Sequence, residues 1–212
     1  LGEIPKNVYN IGSSDLDSVK EKNLPSLDAV KKRYDIHFKE YSVLIWHPVT
    51  SEVKNLANDT HKLINFLKKK NDKYIAIYPN NDPGSKEILK IYEKMKSNNF
   101  KIFPSLRFNY FISLLKNANY IIGNSSCAIY EAPYFKVPSI NIGTRQKKRF
   151  LSRAILNLSI NELNEKKINH FIKNYKPLVN NVFGKGDSYK SFLKILNKKS
   201  FWRINSQKSF NE

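Results

Sequence analysis

Only one cysteine, Cys127, occurs in the sequence, so no internal disulfide can form. A lone thiol suits a reducing cytoplasm better than a secretory route, and its simplest role is that of a small buried hydrophobe. No apolar run approaches the roughly 18 to 20 residues that cross a bilayer. The opening LGEIPKNVYN lacks the basic start and apolar stretch of a signal sequence. There is no Gly-x-Gly-x-x-Gly, which removes the usual dinucleotide fingerprint. His37, His61 and His170 have no cysteine or carboxylate at metal-ligand spacing. Internal repeats and low-complexity linkers are also missing. These absences lead us to expect a soluble cytoplasmic protein, with no membrane partner, no metal and no cofactor.

Acidic residues are scarce as well, 18 against 37 lysines and arginines, for a formal charge of +19. A basic face releases counterions from phosphate backbones, which raises a nucleic-acid reading. The lysines, however, are spread over almost every segment, as in NEKKINHFIKNYK, in the manner of a compositional bias. The expectation is therefore no nucleic acid, since net charge governs association and solubility and not fold. What the chain does have is core material. In 212 residues, 41% are hydrophobic and 13% aromatic, enough to fill one large or two small domains.

Short β-rich runs alternate with helical stripes, the mark of α/β architecture. SVLIW (42–46), YIAIY (74–78), FKIF (100–103), YIIG (120–123) and SINI (139–142) lack clean alternation, as parallel strands buried on both faces do. RAILNLS reads as a further strand. Between them lie the stripes Val53, Leu56, Ala57, Leu63, Ile64, Leu67; Ile88, Ile91, Tyr92, Met95; and Phe108, Phe111, Ile112, Leu115. Thr50 or Ser51 is expected to cap the first helix, and Asp82 with Pro83 to open the second. The segment LDAVKKRYDIHF reads as a helix leading into the domain, and further helices are expected at 161–172 and 187–196. VYNIG (8–12) reads as a strand end. Trp202, alone in a polar tail, is expected to pack on its own core in preference to the other reading, docking on a domain this chain lacks.

The fold class this predicts is α/β, a Rossmann-like parallel sheet with helices on both faces. Right-handed crossovers gather the strand-to-helix loops at the carboxyl edge, where ligands bind in such sheets. The loops to inspect are HPVTS, PNNDPGS, PSLRF, NSSCA and GTRQKKR.

Chemistry concentrates in GNSSCAIYEAP (123–133), where a glycine ends a buried strand, two hydroxyls follow and a helical stretch begins. Free N–H groups of a first helical turn favour an anion, and Ser125 and Ser126 add donors without bulk. Taken alone, either serine would be read as an N-cap. Glu131 shifts the balance toward a nucleotide, because a carboxylate in the same segment can accept both hydroxyl protons of a ribose. Pro133 is expected to shorten that helix. Arg145, in GTRQKKR, offers a planar fork for phosphate oxygens, while Lys147, Lys148 and Arg149 read as a solvated basic face. His47 ends the first strand and points to the same edge. Alone it would read as a packed structural histidine, but near a diphosphate it can donate a hydrogen bond to the leaving oxygen.

HPVT at 47–50, NNDPGS at 80–85, GNSSCAIYEAP at 123–133 and INIGTRQKKR at 140–149, in this order, resemble the hydrolysing UDP-N-acetylglucosamine 2-epimerases of sialic acid biosynthesis. The resemblance covers most of the chain. It departs at Tyr130, where many such enzymes carry a charged or small residue. It implies the C-terminal domain of a two-domain, glycosyltransferase-B-like fold. By that resemblance, 1–40 is a hinge segment after a missing N-terminal domain, 41–200 the UDP-binding domain and 201–212 a polar tail. The opening on Leu1 fits a fragment.

The resemblance also implies roles. Ser125, Ser126 and Arg145 would hold the diphosphate, Glu131 the ribose, Asn80 the nucleotide near the sugar, and His47 would be catalytic. The partners implied are a UDP-sugar, the missing domain and, as a possibility the resemblance leaves open, a second copy of the chain. The reaction implied is elimination of UDP to a 2-acetamidoglycal, then hydration to N-acetylmannosamine. The missing half would carry the carboxylates that move the C2 proton, so the fragment alone is expected to be inactive. Two readings stand beside it by the same resemblance: an epimerase of a nucleotide-linked diacetylated trideoxy sugar, and the nucleotide-binding half of a glycosyltransferase. A nucleic-acid module is the remote third.

Overall fold

Six short runs pair side by side, the central ones apolar on both faces and all of them too short for a helix. The computed structural model describes residues 3–19, 24–95, 97–150, 152–177 and 182–203. In chain order its regular elements begin with α1 (Asp15–Ser18), α2 (Leu27–Arg33), β1 (Ser42–Ile45), α3 (Leu56–Lys70), β2 (Tyr74–Ile77) and α4 (Ser85–Glu93). They continue with β3 (Phe100–Phe103), α5 (Phe108–Lys116), β4 (Ile121–Gly123), α6 (Glu131–Tyr134) and β5 (Ser139–Ile142). β6 (Ile155–Leu158), α7 (Glu165–Lys173) and α8 (Ser188–Leu196) complete the series. Two compact units result, one of residues 24–179 and one of 1–23 with 180–212.

The larger unit holds one six-stranded sheet in the order β3-β2-β1-β4-β5-β6, every pair parallel. This is the Rossmann-like α/β sheet expected, with RAILNLS supplying β6. One face is a continuous core in which Leu44, Tyr74, Ala76, Ile122, Ile140 and Ile142 meet Leu63, Ile64 and Leu67 of α3, Ile88 and Tyr92 of α4, and Ile168 of α7. The alternate strand positions Val43, Ile45, Ile75 and Ile121 are equally buried, as are Val30 of α2 and Ile112 and Leu115 of α5. At the amino edge Tyr120 donates to Asp72 at 2.7 Å, so the Tyr74 hydroxyl, 2.9 Å away, must donate to Tyr120. Lys70 closes the set on Asp72 at 2.9 Å.

Several helix beginnings differ from expectation. Thr50–Asn55 is a 3-10 turn with Val49 at its N-cap, and α3 starts only at Leu56, with no side-chain cap. Val53 and Ala57 are consequently exposed. Asp82 and Pro83 form a turn, Ser85 N–H donating to the Asp82 carbonyl at 3.0 Å, and Gly84 at φ +96 is the residue before α4. Phe108 is the first residue of α5 and lies 46% exposed, outside its stripe. α2 stops at Arg33, because Asp35 takes a positive φ of 52.

In the smaller unit the Asp17 carboxylate accepts from the backbone N–H groups of Ser188 and Tyr189 and from the Ser188 hydroxyl, at 2.8 to 3.0 Å. A carboxylate there complements the positive end of α8. Residues 8–12 form no strand. Trp202 is 69% exposed, its Nε1–H donating to the Leu196 carbonyl at 2.7 Å, so it does not pack on a core of this unit. Residues 204–212 of the expected tail lie outside the described residues.

β4 pairs with β1 at Gly123 with no room for a side chain: its φ is +136, and a Cβ would stand 1.9 Å from the Ile45 carbonyl oxygen. Gly123→Ala is therefore expected to destabilise the larger unit by more than about 3 kcal/mol, combining strain with a clash against backbone that cannot yield. A urea titration reads this as a lowered midpoint with an unchanged slope.

Candidate functional site

The strand order reverses between β1 and β4, which opens a crevice beyond their carboxyl ends. Loops following β1, β4 and β5 meet there through one residue, Asn124, and the loop after β2 joins them through His47. Its side-chain oxygen accepts from the His47 backbone N–H at 2.7 Å, and its Nδ2 donates to the His47 carbonyl at 2.8 Å. Its own carbonyl accepts from Gln146 Nε2 at 2.9 Å and from Arg145 at 3.3 Å. Asn124 and Gln146 are both buried.

His47 is half-buried, and its Nδ1 accepts from the Asn80 backbone N–H at 3.0 Å. A ring nitrogen that accepts carries no proton, so the neutral imidazole keeps its proton on Nε2 as a donor. Burial, and after it the nearby charge of Arg145, press the His47 pKa from its ordinary value down to about 4. At neutral pH the ring is uncharged. Burial also lowers the Arg145 pKa, with Asp82 acting against the shift, but a guanidinium stays charged at any working pH. The Asn80 side chain holds Asp82 through a 2.5 Å bond from its Nδ2, while its Oδ1 is buried without a partner.

The GNSS loop is more broken than a helix starting at the serines. Ser125 caps a 3-10 turn over Ser126–Ala128, and the four-residue α6 then begins at Glu131 and contains Pro133. The proline thus shortens the helix as expected. Ser125 is buried and accepts from the Cys127 thiol at 3.1 Å; Ser126 and Glu131 are half-buried. Cys127 is a buried hydrophobe, its thiol pushed up to about 12 by burial. Lys147, Lys148 and Arg149 are exposed, as a solvated face should be.

Of the six residues singled out, His47, Asn80 and Arg145 are thus tied together through Asn124 and the Asn80 backbone. Ser125, Ser126 and Glu131 follow Asn124 on the same loop. A cavity of about 140 Å³ opens nearby, lined by Trp46, Glu52, Leu56, Thr144 and Ile160 among others, and none of the six lines it. Sequence reasoning missed Asn124, Gln146 and Asp82. Asn124 carried a signal, a polar residue directly after a strand-ending glycine; Asp82 was hidden by its reading as a helix start. Gln146 gave none.

The fold and this geometry have relatives. Residues 1–197 match the model of the family described as UDP-N-acetylglucosamine 2-epimerase. The UDP-N-acetylglucosamine 2-epimerase of Neisseria meningitidis serogroup B is 36% identical over 217 residues, covering 99% of this chain and 57% of that protein. The GDP/UDP-N,N'-diacetylbacillosamine 2-epimerase (hydrolyzing) of Campylobacter jejuni is 36% identical over 78% of this chain and 44% of its own length. The chain spans about half the length of these relatives. Among solved structures, Methanocaldococcus jannaschii UDP-GlcNAc 2-epimerase, crystallised with UDP-GlcNAc and UDP, superposes with a TM-score of 0.69 at 23% identity, over 92% of this chain and 56% of that one. The sheet is accordingly that of one half of a glycosyltransferase-B-type enzyme, and this chain belongs to the UDP-N-acetylglucosamine 2-epimerase family.

Proposed function

We propose that this chain is the UDP-binding half of a hydrolysing UDP-N-acetylglucosamine 2-epimerase of the sialic acid branch. One observation carries the reading: a neutral histidine with its proton on Nε2 and a half-buried arginine, His47 and Arg145, are tied to one buried asparagine at the switch point of the sheet. A donor and a permanent cation aimed at one crevice suit the departing diphosphate, on which negative charge grows as the C1–O bond breaks. Arg145 and the Ser126 hydroxyl hold phosphate oxygens, with Ser125 ordering the turn beneath. Glu131 takes the ribose hydroxyls. The buried Oδ1 of Asn80 is an acceptor of the kind that a hydroxyl or N–H of the nucleotide sugar satisfies.

In the reaction, the C1–O electron pair leaves with UDP while C2 loses its proton, giving the 2-acetamidoglycal. Water then returns hydroxyl to C1 and a proton to the opposite face of C2, releasing N-acetylmannosamine. His47 donates to the leaving oxygen and Arg145 offsets its charge; removal of the C2 proton falls to the half that this chain lacks. Alone, the chain binds UDP without turnover.

Calorimetric titration tests this. Wild-type chain is expected to bind UDP, Arg145→Ala to lose at least about tenfold in affinity through one charge-assisted contact, and Glu131→Ala about as much. A folded wild-type chain that ignores UDP overturns the reading. The histidine makes a second prediction. Its folded pKa of about 4 lies below the unfolded value of 6.5, so the unfolded chain binds more protons between these limits. Stability is therefore undiminished above about pH 6.5 and falls as pH drops toward 4, by about 2 to 3 kcal/mol for this one group. Comparison of wild type with His47→Gln by urea titration across that window should show the difference narrowing as pH falls.

A further inference from the structure

Backbone pairing of β1 with β4 ends at the Ile45 and Gly123 rung, where the chain turns out of the sheet at a φ of +136. The next residue still gives its N–H to Ile45, at 3.1 Å, but its carbonyl points elsewhere. What takes the vacated ladder position is the Asn124 side chain. A primary amide presents one acceptor and one donor side by side, as a peptide unit does, and here it meets both backbone groups of His47 at 2.7 and 2.8 Å. Asp lacks the donor and Ser lacks the second group, so the amide has no equivalent of its length. The substitution frees the Asn124 backbone carbonyl for Gln146 and Arg145.

We infer that Asn124 is a positioning residue, whose side chain extends the β1–β4 pairing by one rung to fix His47 while its main chain anchors Arg145, so that the two act on one bound group. This rests on the reading that His47 and Arg145 meet a nucleotide diphosphate. Asn124 itself, fully buried, touches no ligand. With the His47 backbone held, the imidazole reaches the Asn80 N–H and keeps its proton on Nε2. A purely structural asparagine would lower stability and leave the folded protein's histidine tautomer and the coupling of the two residues unchanged.

The experiment uses the 212-residue chain, 15N NMR of the imidazoles and UDP as probe. In Asn124→Ala, His47 is expected to show mixed tautomers where wild type shows only the Nε2–H form, and UDP affinity to fall about tenfold; in an Arg145→Ala background the same substitution should change affinity less than about threefold, since contacts that act as a unit are not additive. Folded Asn124→Ala with an unaltered tautomer, or with losses that multiply in the two backgrounds, overturns the inference. Should that variant fail to fold, Asn124→Ser, uncharged and able to make one of the two bonds, carries the same readouts. If wild type does not bind UDP, the functional reading fails, and the tautomer still decides whether Asn124 positions His47.

Discussion

The contact on which the rest depends is the approach of β4 to β1 at Gly123. Two strands can come close enough for a backbone carbonyl to occupy the space of a side chain only where there is no Cβ. That approach ends ordinary pairing and turns the chain out of the sheet. It also leaves the following residue beside the end of β1. A sheet whose strand order reverses at this pair already has a crevice there. The glycine turns the chain at that crevice, and the asparagine after it ties the two strand ends together.

Charge in this protein works differently at short and long range. The excess of lysine across the surface sets solubility and the average field, whereas the site depends on one half-buried arginine whose effect on its neighbours is large because water is partly excluded. The same exclusion keeps His47 neutral. An imidazolium would add a second cation where Arg145 already stands, and would lose the accepted hydrogen bond from Asn80. Neutrality is therefore compatible with the network and protonation is not.

The strands were legible because residues buried on both faces must be apolar at consecutive positions, a pattern that YIAIY and the VLIW of SVLIW carry without ambiguity. Helix beginnings were much less so. Thr50, Ser51 and Asp82 are good caps in general, yet the turn over 50–55 and the left-handed Gly84 moved both starts downstream. Local preference lost to the path the chain must take over the sheet edge. The histidine and the arginine at that edge could be named from their loops because a parallel sheet fixes which loops share an edge. How they are joined could not, since it depends on an amide making two bonds across 77 positions of sequence. Trp202 was misplaced for a similar reason: an indole can satisfy its N–H on a helix end without burying its ring.

Cys127 sits directly behind the serines, buried, with its thiol against Ser125. A thiol held protonated in that place is inert while the turn is closed and becomes reactive when the turn opens. The molecule thus has a single internal clock for breathing of its GNSS loop. The rate at which a thiol reagent is consumed measures how often those residues leave their folded arrangement, and any ligand resting on the loop must slow it.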